Sequence, residues 1–263
     1  MEGKDWYFPK YTMKDKKEML QRCARGIYAE KLRNAGFVSY KGEDLSWYKV
    51  VNSEIVQTVY LFSSWGMTPL LIQIGYGVHP LFIPAPIPQK IIFNESSNDE
   101  VMQKVFDKEK HRIYDSETCV MCCNTKEMGA ELLDTDVFPI FKQAKTKETT
   151  YEFHKQKCLD LIRRIKEENP NAEIQIMGSN WLVDEVIYFD DNNMQEMLLN
   201  QLYHQKEWLQ SSKIPPQREK RLTWLCAQLN AIEDGKREEF LELLEGRKKR
   251  FIGELQRKLG IAV

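Results

Sequence analysis

The chain has 263 residues, 42 % hydrophobic and 29 % charged, which is ordinary globular usage and excludes wholesale disorder. Its 38 basic and 39 acidic residues nearly cancel, so bulk attraction to nucleic acid or to an anionic membrane has no compositional support. No stretch approaches the roughly 20 apolar residues that span a bilayer, and Met1 to Phe8 holds no apolar leader core, so the expectation is a cytoplasmic protein without a membrane partner.

A first helix is expected from Thr12, which can cap the N–H of Asp15 while Asp15 places negative charge in the first turn. Met19, Leu20, Cys23, Ala24, Ile27 and Tyr28 recur at helical spacing, and Gly36 is placed to end the helix in a left-handed conformation. The period then drops to two. Phe37 to Tyr40 reads as a short strand and Lys41 to Asp44 as a turn; Leu45 to Val51, Ile55 to Phe62 and Leu70 to Val78 read as three further strands. Short connections between them predict an antiparallel meander with one face on the first helix.

Pro84, Pro86 and Pro88 exclude a regular helix or a central strand after His79, although the surrounding isoleucines place that segment against the core. Cys119 to Cys123 reads as a short apolar strand, and 127–141 mixes short helical signals with a turn. A clear helix follows over Lys147 to Glu168, with Tyr151, His154, Cys158, Leu161, Ile162 and Ile165 on one stripe, ended by Asn169-Pro170. Leu182 to Phe189 is open between strand and helix. Asp190 to Asn193 offers caps for a helix over Met194 to Gln210. Pro216 suits a first helical position, and a last helix follows Gly235.

The architecture expected is therefore α+β: an N-terminal helix packed on an antiparallel β-meander, with a helical C-terminal third. Residues 1–190 are expected to form the α+β domain, and 191–263 a helical segment packed on it or a small helical subdomain.

Few residue patterns carry chemistry. Cys119-x-x-Cys122 with His154-x-x-x-Cys158 has the donor types of a tetrahedral zinc site, but the cysteine pair lacks a knuckle glycine and the second pair shares a core-facing stripe. The six cysteines thus read as buried reduced thiols, with no metal or other cofactor expected. Ile74-Gly75-Tyr76-Gly77 lacks the Lys-Ser/Thr and helix start of a phosphate loop. Trp65, Tyr76 and His79 are the ligand-binding candidates, because an aromatic sheet face can line a cleft; a face covered by helices is the competing reading. Arg247 to Arg250 is a basic run able to meet nucleic acid, yet glutamates such as Glu245 precede it at ion-pair spacing, which favours a solvated helix face. Asp184, Glu185, Asp190 and Asp191 border an apolar run; a metal-binding or acid/base pair is one reading of them, but such clusters before a helix read foremost as caps.

The succession Ala35-Gly36-Phe37, Trp47 to Val51, Ile55 to Val59 and Leu71 to Gly75 resembles a family of small bacterial proteins of unknown function, built as a helix plus an antiparallel sheet. The resemblance covers about residues 12–80. It implies this fold and a bacterial cytosolic setting, and it transfers no activity or functional residue. The function expected is a non-enzymatic binding or protein-interaction module, of the partner-neutralising kind. The alternatives are a Cys/His- or metal-dependent hydrolase or transferase, and a nucleic-acid binder using the last helix.

Overall fold

The computed structural model describes residues 26–40, 43–63, 72–83, 130–131, 133–170, 180–211 and 216–260. The helix start at Thr12, Trp65, the prolines 84–88 and Cys119 to Cys123 lie outside them. The chain divides into two compact units. One comprises residues 1–79, 86–146 and 254–263, the other 80–85 and 147–253.

The first unit holds α1 (Ile27–Asn34) and a four-stranded sheet, β1 (Val38–Tyr40), β2 (Glu43–Val51), β3 (Ile55–Ser63) and β4 (Ile72–Pro80, of which Pro80 falls in the second unit). The strands lie in the order β1-β2-β3-β4, each beside its chain neighbour, as a meander requires. Gly36 closes α1 as expected. At φ +84° its N–H reaches the Arg33 carbonyl and the Phe37 N–H reaches that of Leu32, each at 2.9 Å. Lys49 of β2 caps the same end, its Nζ donating to the Ala35 carbonyl at 2.7 Å. The β2–β3 hairpin turns on Asn52 and Ser53, both at φ +54°, with Glu54 N–H bonded to the Val51 carbonyl at 3.1 Å. Two consecutive left-handed residues match the twist of the flanking strands.

Register fixes which side chains share a face. Trp47 stands opposite Val59 and Lys49 opposite Gln57, while Tyr48 stands opposite Thr58 on the other side. Phe37, just before β1, stacks at 5.7 Å on Phe141 of α2 (Phe138–Gln143), which follows a π-helical turn at Leu133–Val137. Gln57 Nε2 donates to the Phe141 carbonyl at 3.0 Å, so α2 lies on the Trp47–Gln57 face. The opposite face is also buried at Ser46, Tyr48, Val56 and Thr58. A strand buried on both faces loses the polar half of its alternation, which accounts for the unbroken buried run Ile55 to Val59.

The second unit is helical: α3 (Lys147–Glu168), α4 (Asn180–Phe189), α5 (Asn192–Ser211), α6 (Pro216–Glu233) and α7 (Arg237–Leu259), whose last residues fall in the first unit. Leu182 to Phe189, open between strand and helix in the sequence, is helical. Six consecutive residues, Leu182 to Ile187, are buried, so α4 is enclosed on all sides, and an enclosed helix shows no 3.6-residue period to read. It packs against α3, α5 and α6. Leu182, Val183, Val186 and Ile187 meet Met194, Leu198 and Leu202 of α5, Leu225 and Leu229 of α6, and Phe240 and Leu244 of α7 in one apolar core. Asp191 caps α5 as expected, accepting the Met194 N–H at 3.1 Å. Arg237 closes the C-terminal end of α4, donating to the carbonyls of Ile187 at 2.9 Å and Tyr188 at 2.7 Å. No helix among the described residues is long and apolar enough to cross a membrane.

Candidate functional site: a buried polar cluster on the central helix

Asp184 and Glu185 sit inside the run that encloses α4, 3 % and 0 % exposed respectively. Adjacent helical residues point about 100° apart, so the two carboxylates serve different neighbours. Asp184 Oδ1 accepts from Trp224 Nε1 at 2.9 Å and from Gln228 Nε2 at 2.7 Å, both one turn apart on α6. Its Oδ2 accepts from Arg247 Nη1 of α7 at 3.2 Å, and the Arg247 guanidinium lies over the Trp224 ring. Glu185 turns to α3, where His154 Nδ1–H donates to its two oxygens at 2.9 and 3.1 Å. The cluster thus ties α4 to α3, α6 and α7 at one level of the bundle.

Burial dominates the electrostatics. It pushes the Asp184 carboxyl up to about 6, against the pull of Arg247, Gln228 and Trp224, and Glu185 next to it adds to the rise. Burial likewise brings the Arg247 guanidinium down to about 10, opposed by Asp184. Nearer the start of α5, burial raises the Asp191 carboxyl, but donation from Lys155 at 2.5 Å, from Tyr151 at 2.8 Å and from the Met194 N–H wins, and its net shift is downward. The Tyr151 hydroxyl is raised, first by burial and then by its bond to Asp191.

Of the ligand-binding candidates, Tyr76 and His79 are both buried in the first unit, Tyr76 edge-on to Phe141 with ring centroids 6.3 Å apart; Trp65 lies outside the described residues. His154 and Cys158 hold the core-facing stripe expected of them. His154 is engaged by Glu185, and burial raises the Cys158 thiol. Among the described residues no group of three or more His, Cys, Asp or Glu is placed to hold a metal ion, and Cys119 and Cys122 lie outside them.

Two expectations are corrected. Asp184 and Glu185 are not caps but buried acceptors in mid-helix, because the helix begins at Asn180, before them. The basic run is not one solvated face: Arg247 turns inward onto Asp184, and Glu245 pairs with Lys248 at 3.8 Å rather than with Lys249. Trp224, Gln228 and Arg247 are the members sequence reasoning missed. An Asp flanked by apolar residues is the one available signal, since a buried carboxylate requires donors from somewhere. No family model matches the chain, and no curated protein and no solved structure matches it either.

Proposed function

We propose that the chain is a non-enzymatic binding protein that acts through protein–protein contact, with the outer surface of α5 as the contact region. The observation that carries this is the set of large apolar side chains left outside there: Met197, Tyr203 and Trp208, the last 56 % exposed. The inner face of the same helix already supplies Met194, Leu198, Leu202 and Leu209 to the core, whereas Met197 and Trp208 keep much of their apolar surface outside it and Tyr203 meets α6 through its hydroxyl on Glu233. Exposed tryptophan and tyrosine are the side chains that concentrate binding energy at protein interfaces. The buried cluster supports the same reading, because each of its carboxylates is engaged by side chains of the neighbouring helices, Asp184 by Trp224, Gln228 and Arg247 and Glu185 by His154.

A Cys/His hydrolase is the second reading, drawn from His154 and Cys158 one turn apart on α3. It is weakened by the burial that raises the Cys158 thiol, the wrong direction for a nucleophile. Nucleic-acid binding through α7 is weakened by the pairing of Arg247 with Asp184. A reducing, cytoplasmic setting fits the free thiols of Cys158 and Cys226, and the likeness of residues 12–80 to a bacterial family fits a bacterial source.

The test compares wild type with a Met197→Ala/Trp208→Ala variant by co-purification from the native host. Loss of a stoichiometric partner at unchanged melting temperature is the expected result. Saturable turnover of a small molecule by the purified protein, or full retention of the partner by the variant, overturns the reading.

A further inference from the structure

Among the described residues the Asp184 carboxylate is the acidic partner of the Arg247 guanidinium, and it gathers donors from two helices besides its own. Three donors for two oxygens suit an ionised carboxylate, which only accepts. A protonated Asp184 would present a hydroxyl to one of them, and the loser is the cation, since burying a guanidinium without a counter-charge costs most. Arg247 also has a way out: its side chain is 21 % exposed, whereas that of Asp184 is 4 % exposed. The charged and titratable surroundings come from each neighbouring helix. Glu185 follows on α4 and faces His154 of α3, with Tyr151 nearby. The uncharged Trp224 and Gln228 represent α6, the uncharged Gln195 is the buried polar residue of α5, and Arg250 stands one turn beyond Arg247 on α7.

We propose that Asp184 is a proton-operated latch on α7: ionised, it holds the middle of the helix through Arg247, and protonated, it releases the guanidinium from the Trp224 ring and loosens that turn. The proton goes onto a carboxylate oxygen from solvent and no covalent bond to carbon changes. Burial, which pushes this carboxyl up, brings the event into the mildly acidic range where a modest change of pH operates it.

The Trp224 indole N–H reports directly, because it donates to the latch carboxylate. In nitrogen–proton NMR spectra of the full chain, its cross-peak is identified by its loss in Trp224→Phe. The expected result is a single titration of that peak centred near pH 6, absent in Asp184→Asn, with amide protection over Leu244 to Phe251 falling about tenfold on the acid side after correction for intrinsic exchange. An indole peak that stays fixed between about pH 4.5 and 8, or undiminished α7 protection in acid, overturns the proposal. Arg247→Met covers the case in which Asp184→Asn does not fold. With the cation gone the midpoint should rise by about one pH unit or more, and an unmoved midpoint refutes the coupling.

Discussion

Replacing Asp184 by Asn sets burial against ion pairing in one measurement. A carboxylate beside an arginine is ordinarily held below its free value, yet here burial outweighs Arg247 and the folded-state value is about 6 against 3.8 for the free group. The folded value is raised, so the carboxyl's contribution to stability is fully present below about 3.8 and is lost as pH rises through about 6. The difference is slightly more than two pH units, which at about 1.4 kcal/mol per unit comes to about 3 kcal/mol. Asn keeps a carbonyl oxygen for Trp224 and Gln228 and does not titrate, so whatever fixed cost it carries is the same at every pH. Arg247, brought down to about 10, stays charged over the range that matters. Urea unfolding of both proteins at intervals from about pH 4 to pH 8 gives the gap between them directly. Relative to the Asn variant, wild type should lose about 3 kcal/mol across that range. A gap that stays level, or one that moves in favour of wild type as pH rises, refutes the reasoning, the latter by showing that Arg247 overcomes burial.

Ile187→Ala, at a fully buried core position on α4, should cost about 3–4 kcal/mol by urea unfolding. The half-buried Ile162 should cost clearly less on the same change. Gly36→Ala should cost about 1 kcal/mol through its φ of +84° alone, since the nearest atom to an added Cβ is Lys49 Cε at 3.6 Å; an unchanged melting temperature would remove the left-handed cap from the account. Asp191→Ala should cost about 1 kcal/mol as a lost cap. Its depressed carboxyl makes that cost full above the free carboxyl range and smaller as pH falls through the folded value, so a difference that grows in acid contradicts the assignment.

Where the chain meets water on one side, its sequence was legible. The helix over Lys147 to Glu168 carries an apolar stripe and a terminal Pro170, and its bounds are those of α3. The meander was legible through its β-branched and aromatic runs and the Asn52-Ser53 turn, although β3 is buried on both faces, and so were the stop at Gly36 and a cap within Asp190 to Asn193. Each is a local matter: a φ sign, a donor three residues away, a face that must turn inward. The α4 helix was not legible, because enclosure removes the contrast from which a period is read, and the helical unit begins at Lys147, where the amphipathic pattern shows an apolar face but not its partner. The buried cluster was least legible of all. His154 lies 31 residues from Glu185, and Arg247 lies 63 from Asp184. The sequence by itself determined that α3 would turn His154 toward the core and that α5 would start at a cap within Asp190 to Asn193. Only the tertiary structure decided that Asp184 and Glu185 are core acceptors, Asp184 facing Arg247 and Glu185 facing His154. A charge can stay in the interior only where donors from distant segments converge on it, and that convergence is a property of the packed bundle.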